Sequence, residues 1–105
     1  MSSLPIMTPE QRAAALLRAA QTRRERTEAL KLVKQGTVRA ADVLNDTGSP
    51  AQGARVRTLL LAVPGIGPKK ADGIMTELGL DASRRVRGLG TTQRARLTKI
   101  LTPAA

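Results

Sequence analysis

The sequence predicts an all-α domain of about five helices, with a long N-terminal helix packed on a compact helical hairpin unit. Apolar residues recur at helical spacing, as in Val56, Leu59, Leu60 and Val63. No stretch shows the alternation of a half-buried strand. Helix start and stop signals, such as Thr8-Pro9, Gly36 and Gly79, punctuate the chain.

Residues 1–8 read as a disordered lead. Thr8, Pro9 and Gln11 then combine an N-cap, a proline at the first helical position and a reciprocal capping residue. A long basic helix is expected over 9–36, from about Pro9 to Gln35, with Gly36 as its stop. Ala13, Ala14, Leu16, Leu17 and Ala20 give its first half an apolar face, and Ala29, Leu30, Leu32 and Val33 give one to its end. Between them, Gln21 to Glu28 offers nothing apolar to bury. That stretch is either a solvated face, with Arg24 and Glu28 paired, or an arm that touches phosphates.

The helical core is expected over 37–102. A short helix from Val38 to Asn45 follows a possible Thr37 cap, and Asp46 to Pro50 is the clearest loop. A third helix spans about Arg55–Val63, with Leu61 as a second buried edge, and a fourth spans Pro68 to about Leu78. These two form the hairpin unit at 55–79. Asp81 to Gly90 is basic and turn-rich, and Thr91 or Thr92 caps a fifth helix through about Leu101.

The 105 residues suit one small domain, and 18 Lys+Arg against 8 Asp+Glu leave a net charge of +10. Such an excess points to a polyanionic partner. The absence of Cys and His excludes disulfides, ordinary zinc sites and imidazole acid–base chemistry, so neither metal nor cofactor is expected. The absence of Phe, Tyr and Trp removes base stacking and favours contact with a duplex backbone. It also leaves a core of Leu, Ile, Val, Met and Ala, with modest stability expected. No apolar run reaches membrane length and no signal-peptide pattern opens the chain, so a soluble cytoplasmic protein is expected. A basic amphipathic helix on an anionic membrane would favour the Trp or Phe that this chain lacks.

The stretch VPGIGPKKAD, Val63 to Asp72, carries the strongest signal. Gly65 and Gly67 permit φ > 0 and a close approach to backbone amides. Ile66 is expected to point back between the two helices, and Ala71 to let them pack closely. Pro68 starts a helix whose N-terminus favours an anion, with Lys69 and Lys70 beside it. The order apolar, Pro-Gly, Ile, Gly, three spacers, Ala is the helix-hairpin-helix pattern, suited to a phosphate oxygen. The same hairpin occurs in DNA glycosylases, where a lysine at the place of Lys69 attacks the sugar. Their catalytic Asp would fall on Arg87 here, and the chain is too short to enclose a flipped base. A non-enzyme is therefore expected.

Arg84, Arg85 and Arg87 in SRRVRGLG repel one another unless an anion is present. In an extended segment Arg85 and Arg87 share a side, while Val86 and Leu89 anchor the loop. Arg55 and Arg57, at a helix start, oppose the helix dipole and suit the same partner.

Together, TPEQRAAAL, RRER, VPGIGPKKADGIMTELGL and RRVRGLG resemble the actinobacterial integration host factor family, from about Leu4 to Leu101. The sequence departs most in NDTGSPAQGAR, which looks shortened against the family. The resemblance implies an all-α helix-two-turn-helix fold. It implies a nucleoid-associated protein that binds double-stranded DNA with little sequence preference, bends or compacts it, and supports site-specific recombination beside an integrase. A monomer is expected. The family's phosphate-binding hairpin falls on Gly65, Gly67, Lys69 and Lys70, with Ile66 and Pro68 inside it. Its arginine segment falls on Arg84, Arg85 and Arg87, and its preceding basic positions on Arg55 and Arg57. Arg12, Arg23, Arg24 and Arg26 are candidates for a second DNA contact through the first helix. Two alternatives stay open. One is an rRNA-binding structural protein, since GIG followed by a basic R-V-R-x-L stretch also occurs in a ribosomal protein of the 30S head. Such proteins usually end in a basic tail, whereas this sequence ends Thr102-Pro103-Ala104-Ala105. The other is a module for an acidic protein partner.

Overall fold

Helix α1 runs Pro9–Lys34 in the computed structural model, which describes residues 6–102. Most of the expected lead, residues 1–5, lies outside the described residues. Thr8 closes the expected capping box: its Oγ1 accepts the Gln11 amide at 3.1 Å and the Gln11 Oε1 accepts the Thr8 amide at 2.9 Å. At the other end Gly36 turns to φ 76°, and the amides of Gly36 and Thr37 return to the carbonyls of Val33 and Leu32. This double return is the Schellman stop.

The same stop corrects the second helix. Because Thr37 and Val38 both donate back to Leu32, residues 37–39 complete the end of α1. Helix α2 is Ala40–Asn45, N-capped by Arg39 rather than Thr37. The loop that follows is shorter than expected. Ser49 accepts the Ala51 amide and starts a first 3-10 turn at Pro50–Gly53. Gln52 is buried there and its amide nitrogen reaches the carbonyls of Val43, Leu44 and Asp46 at 3.1, 3.0 and 2.9 Å. It supplies the donor that the C-terminal carbonyls of α2 lack.

Helix α3 is Val56–Ala62 and α4 is Pro68–Glu77, each within a residue or so of the expected span. Gly79, at φ 68°, ends α4 with a second Schellman pair, Gly79 to Thr76 and Leu80 to Met75. A second 3-10 turn, Val86–Gly88, replaces the extended segment expected across the arginines. Arg85, just before that turn, is extended, in an isolated antiparallel bridge with Arg55. The three-residue period of that turn puts Val86 and Leu89 on one side, both buried as expected. Helix α5 is Thr91–Leu101. Its N-cap is Gly90, not Thr91 or Thr92, because the Gln93 side chain already takes the Gly90 amide at 3.0 Å.

The core gathers Val33, Leu44, Val56, Leu59, Leu60, Ile74, Met75, Val86 and Leu97 between α2, α3, α4 and α5. Leu61 is exposed, not a buried edge. Val33 is the buried residue of α1, which packs on the first 3-10 turn and on α3. At about 39 Å long, α1 outruns the core it leans on. Its first turns therefore project, leaving Leu16 and Leu17 at 65% and 71% exposure instead of on a packed face. Arg24 and Glu28 form no ion pair; Gln21 instead donates to Glu25 at 3.1 Å. Among the described residues no helix is long and apolar enough to cross a membrane, and no cluster of metal-ligating side chains occurs.

Candidate nucleic-acid interface

The hairpin between α3 and α4 is built from a turn and a cap. Pro64 and Gly65 fill the central places of a turn closed by the Ile66 amide donating to the Val63 carbonyl at 3.1 Å. Gly65 sits at φ 89°, the value that a type II turn demands at its third residue. Ile66 is half-buried and packs against the core, as its place in the pattern requires. Gly67 is the N-cap of α4, at φ −92° and ψ −179°. That is ordinary extended backbone, so only one of the two glycines meets the expectation of positive φ. A Cβ added at Gly67 would meet nothing within 4 Å, so its outer face is open.

Helix α4 has no side-chain cap and no acidic residue in its first turn. Among the described residues, the amides of Gly65, Gly67, Lys69 and Lys70 donate to no acceptor. Pro68, at the first position of α4, has no amide to leave unsatisfied. Lys69 and Lys70 are exposed beside these amides, at the positive end of the helix dipole. Ala71 is fully buried, which lets α3 and α4 approach closely.

The arginines do not form one track. Arg55 is the N-cap of α3, about 10 Å along that helix from the hairpin. Arg57 is spoken for: its Nε donates to Asp72 of α4 at 2.8 Å. Arg84 is turned inward, donating to the Gly88 carbonyl at 3.1 Å and Gln93 at 3.3 Å, with Asp81 3.5 Å away. The Ser83 hydroxyl first, then its own backbone amide and the Arg84 charge, hold the exposed Asp81 carboxyl below its ordinary value. Arg85 donates to the Gly53 carbonyl and lines a recess of about 310 Å³ with Arg26 and Arg55. Arg87 is exposed and faces a different cleft. Arg12, Arg23 and Arg24 are exposed on α1, whereas Arg26 is half-buried against the first 3-10 turn. Sequence reasoning gave Arg94 no place at the site. Its guanidinium binds the carbonyls of Leu44 and Val86, an inward role that a basic helix surface does not reveal.

Residues 33–100, from the last turn of α1 through α5, match the family model of the S13-like H2TH domain. The integration host factor of Streptomyces coelicolor is 42% identical over 99 residues, covering 92% of each chain. Those of Mycolicibacterium smegmatis and Mycobacterium tuberculosis are 45% identical over 97 residues, covering 90% of this chain and 92% of theirs. The chain belongs to the integration host factor family of streptomycetes and mycobacteria. A solved structure of sIHF bound to an 8 bp palindromic DNA superposes with a TM-score of 0.73 at 36% identity, covering 81% of this chain and 98% of that one. The family and the all-α fold expected from the sequence both hold.

Proposed function

We propose that the protein binds double-stranded DNA through its phosphates, with little sequence preference, as a nucleoid-associated integration host factor. One observation carries this: at the hairpin, amides of Gly65, Gly67, Lys69 and Lys70 that donate to no acceptor, the N-terminus of α4 and two exposed lysines lie together in the chain beside the open face of Gly67. Phosphate contacts of this kind position a protein without reading sequence. Arg55, Arg85 and Arg87 extend the positive surface beyond the hairpin, and Arg12, Arg23 and Arg24 extend it along α1. The sIHF–DNA structure and the net charge of +10 support duplex DNA as the ligand. In this reading the protein acts as a monomer in the cytoplasmic nucleoid. It does no chemistry itself, bending or compacting DNA so that an integrase can act on it.

The S13-like character of the domain favours one second reading, a structural protein on ribosomal RNA. Titrating a random duplex and a structured RNA of equal length across a salt series separates the two. Duplex binding should dominate. The Lys69→Ala/Lys70→Ala variant should flatten the slope of log K against log salt by about 1.8, or 0.9 per phosphate. Preference for RNA, or an unchanged slope, would reject the DNA reading of the hairpin.

A further inference from the structure

On α1, Ala13, Ala20, Thr27 and Lys34 recur every seven residues, and Leu16, Arg23 and Leu30 each follow three places after one of them. Positions at this spacing line one face of a helix. The face runs for about 32 Å, or roughly three heptads. Its N-terminal half is bare, with Ala13, Leu16 and the bordering Leu17 exposed. A single exposed leucine is ordinary, whereas two adjacent ones among alanines form a patch. At its other end the face meets α3. There Thr27, Leu30, Lys31 and Lys34 stand across an apolar groove of about 400 Å³ from Leu61 and Ala62. Thr27 already donates its hydroxyl to the Arg23 carbonyl at 2.9 Å, so it adds no unmet donor to the face.

A stripe of alanine and leucine that widens into a two-helix groove has the shape that receives a third helix. A phosphate backbone gains nothing from such leucines. The charges say which helix fits. Arg23, Arg24, Lys31 and Lys34 are exposed on or beside the stripe, and no carboxylate lines the groove. Glu25 and Glu28 line a separate recess with Pro50. A second copy of this chain laid along the whole stripe, parallel or antiparallel, brings Arg23 and Arg24 against their counterparts, and like charges there repel. A helix that carries carboxylates beside its apolar stripe meets the same arginines and lysines with attraction.

We propose that this face of α1, with the edge of α3, docks an amphipathic helix of another protein whose apolar stripe is bordered by carboxylates. Leu16, Leu17 and the groove at Leu61 anchor the stripe. Arg23, Arg24, Lys31 and Lys34 select acidic helices and turn basic ones away. One helix on this face buries less than the about 1,600 Å² of a standard interface, so the contact is transient. It shares no residue with the hairpin and stands whether or not the hairpin binds DNA.

The probe is a fluorescently labelled peptide of three heptads, with leucine at the first and fourth places of each and glutamate at the fifth and seventh. Its control carries lysine in place of glutamate. By anisotropy the acidic peptide should bind at least about 10-fold more tightly than the control. Leu16→Ser/Leu17→Ser should weaken that binding at least about 10-fold, and so should Leu61→Ser on the other side of the groove. All three side chains are exposed, so the variants should melt as the wild type does. Lys69→Ala/Lys70→Ala should bind the peptide fully while losing duplex affinity, and the leucine variants should do the reverse. Equal affinity for the two peptides, no binding up to about 0.5 mM, or full affinity in the leucine variants overturns the proposal. A dimer in sedimentation that the leucine substitutions dissolve would give the face to a second copy and overturn it too, as would slower hydrogen exchange over residues 13–34 with duplex but not with peptide.

Discussion

Alanine at Gly65 and alanine at Gly67 should fail in opposite ways. Gly65 holds φ 89°, and a Cβ there would meet nothing within 4 Å. The cost of Gly65→Ala is thus conformational, about 1–2 kcal/mol for an L-residue held at positive φ. In a domain of this size that lowers Tm by roughly 5–15 °C. Gly67 holds φ −92°, which alanine adopts freely, and its Cβ also has open space. Gly67→Ala gains about 0.4–1 kcal/mol by restricting the unfolded chain and loses a similar amount as a poorer N-cap, so Tm should move by less than about 3 °C. The new methyl, however, stands where a phosphate oxygen would approach the amides. Duplex affinity should fall about 10-fold, or about 1.4 kcal/mol. Thermal melts followed by helical circular dichroism, with fluorescence anisotropy on labelled duplex, measure both effects. Equal losses of Tm, or full affinity in Gly67→Ala, would refute the assignment of the two roles.

The arginine segment should also divide. Arg84→Ala removes hydrogen bonds to Gly88 and Gln93 and should cost about 1–2 kcal/mol in a denaturant melt, whereas Arg87→Ala should leave stability unchanged and flatten the salt slope by about 0.9. Asp72→Asn should free Arg57 at a cost of at most about 0.5 kcal/mol, since the pair is largely exposed, and should strengthen duplex binding; weaker binding would show that the pair positions Arg57. Because the folded state lowers the pKa of Asp81, its contribution to stability is present above the ordinary carboxylate range and is lost as pH falls through the lowered value. Ser83→Ala should return the Asp81 titration, followed by NMR, toward the ordinary value and remove that part of the acid dependence.

What the sequence disclosed depended on how local each signal was. The Thr8 cap, the stops at Gly36 and Gly79, and the Val63–Ala71 hairpin are set by residues within one turn of each other, and they were legible. The start of α2 was misread because two amides from 37 and 38 return to Leu32, a geometry that Thr37 as a cap residue conceals. The exposure of Leu16 and Leu17 depends on where the core stops, which no helical period records. The same holds for the arginines. Composition announces their charge, but contacts with Asp72, Gly53, Gln93 and Leu44 decide which side chains are spent within the fold.

The ring-free interior described above, packed from Val33, Leu44, Leu59, Leu60 and Leu97, has an optical and magnetic consequence. Without indole or phenol the protein neither absorbs near 280 nm nor fluoresces. Near-ultraviolet absorption and fluorescence from a nucleic-acid complex will therefore report the nucleic acid alone. Without ring currents the buried methyl groups will crowd into a narrow band of proton shifts, so any ring-current shift seen on complex formation must come from the bases of the ligand.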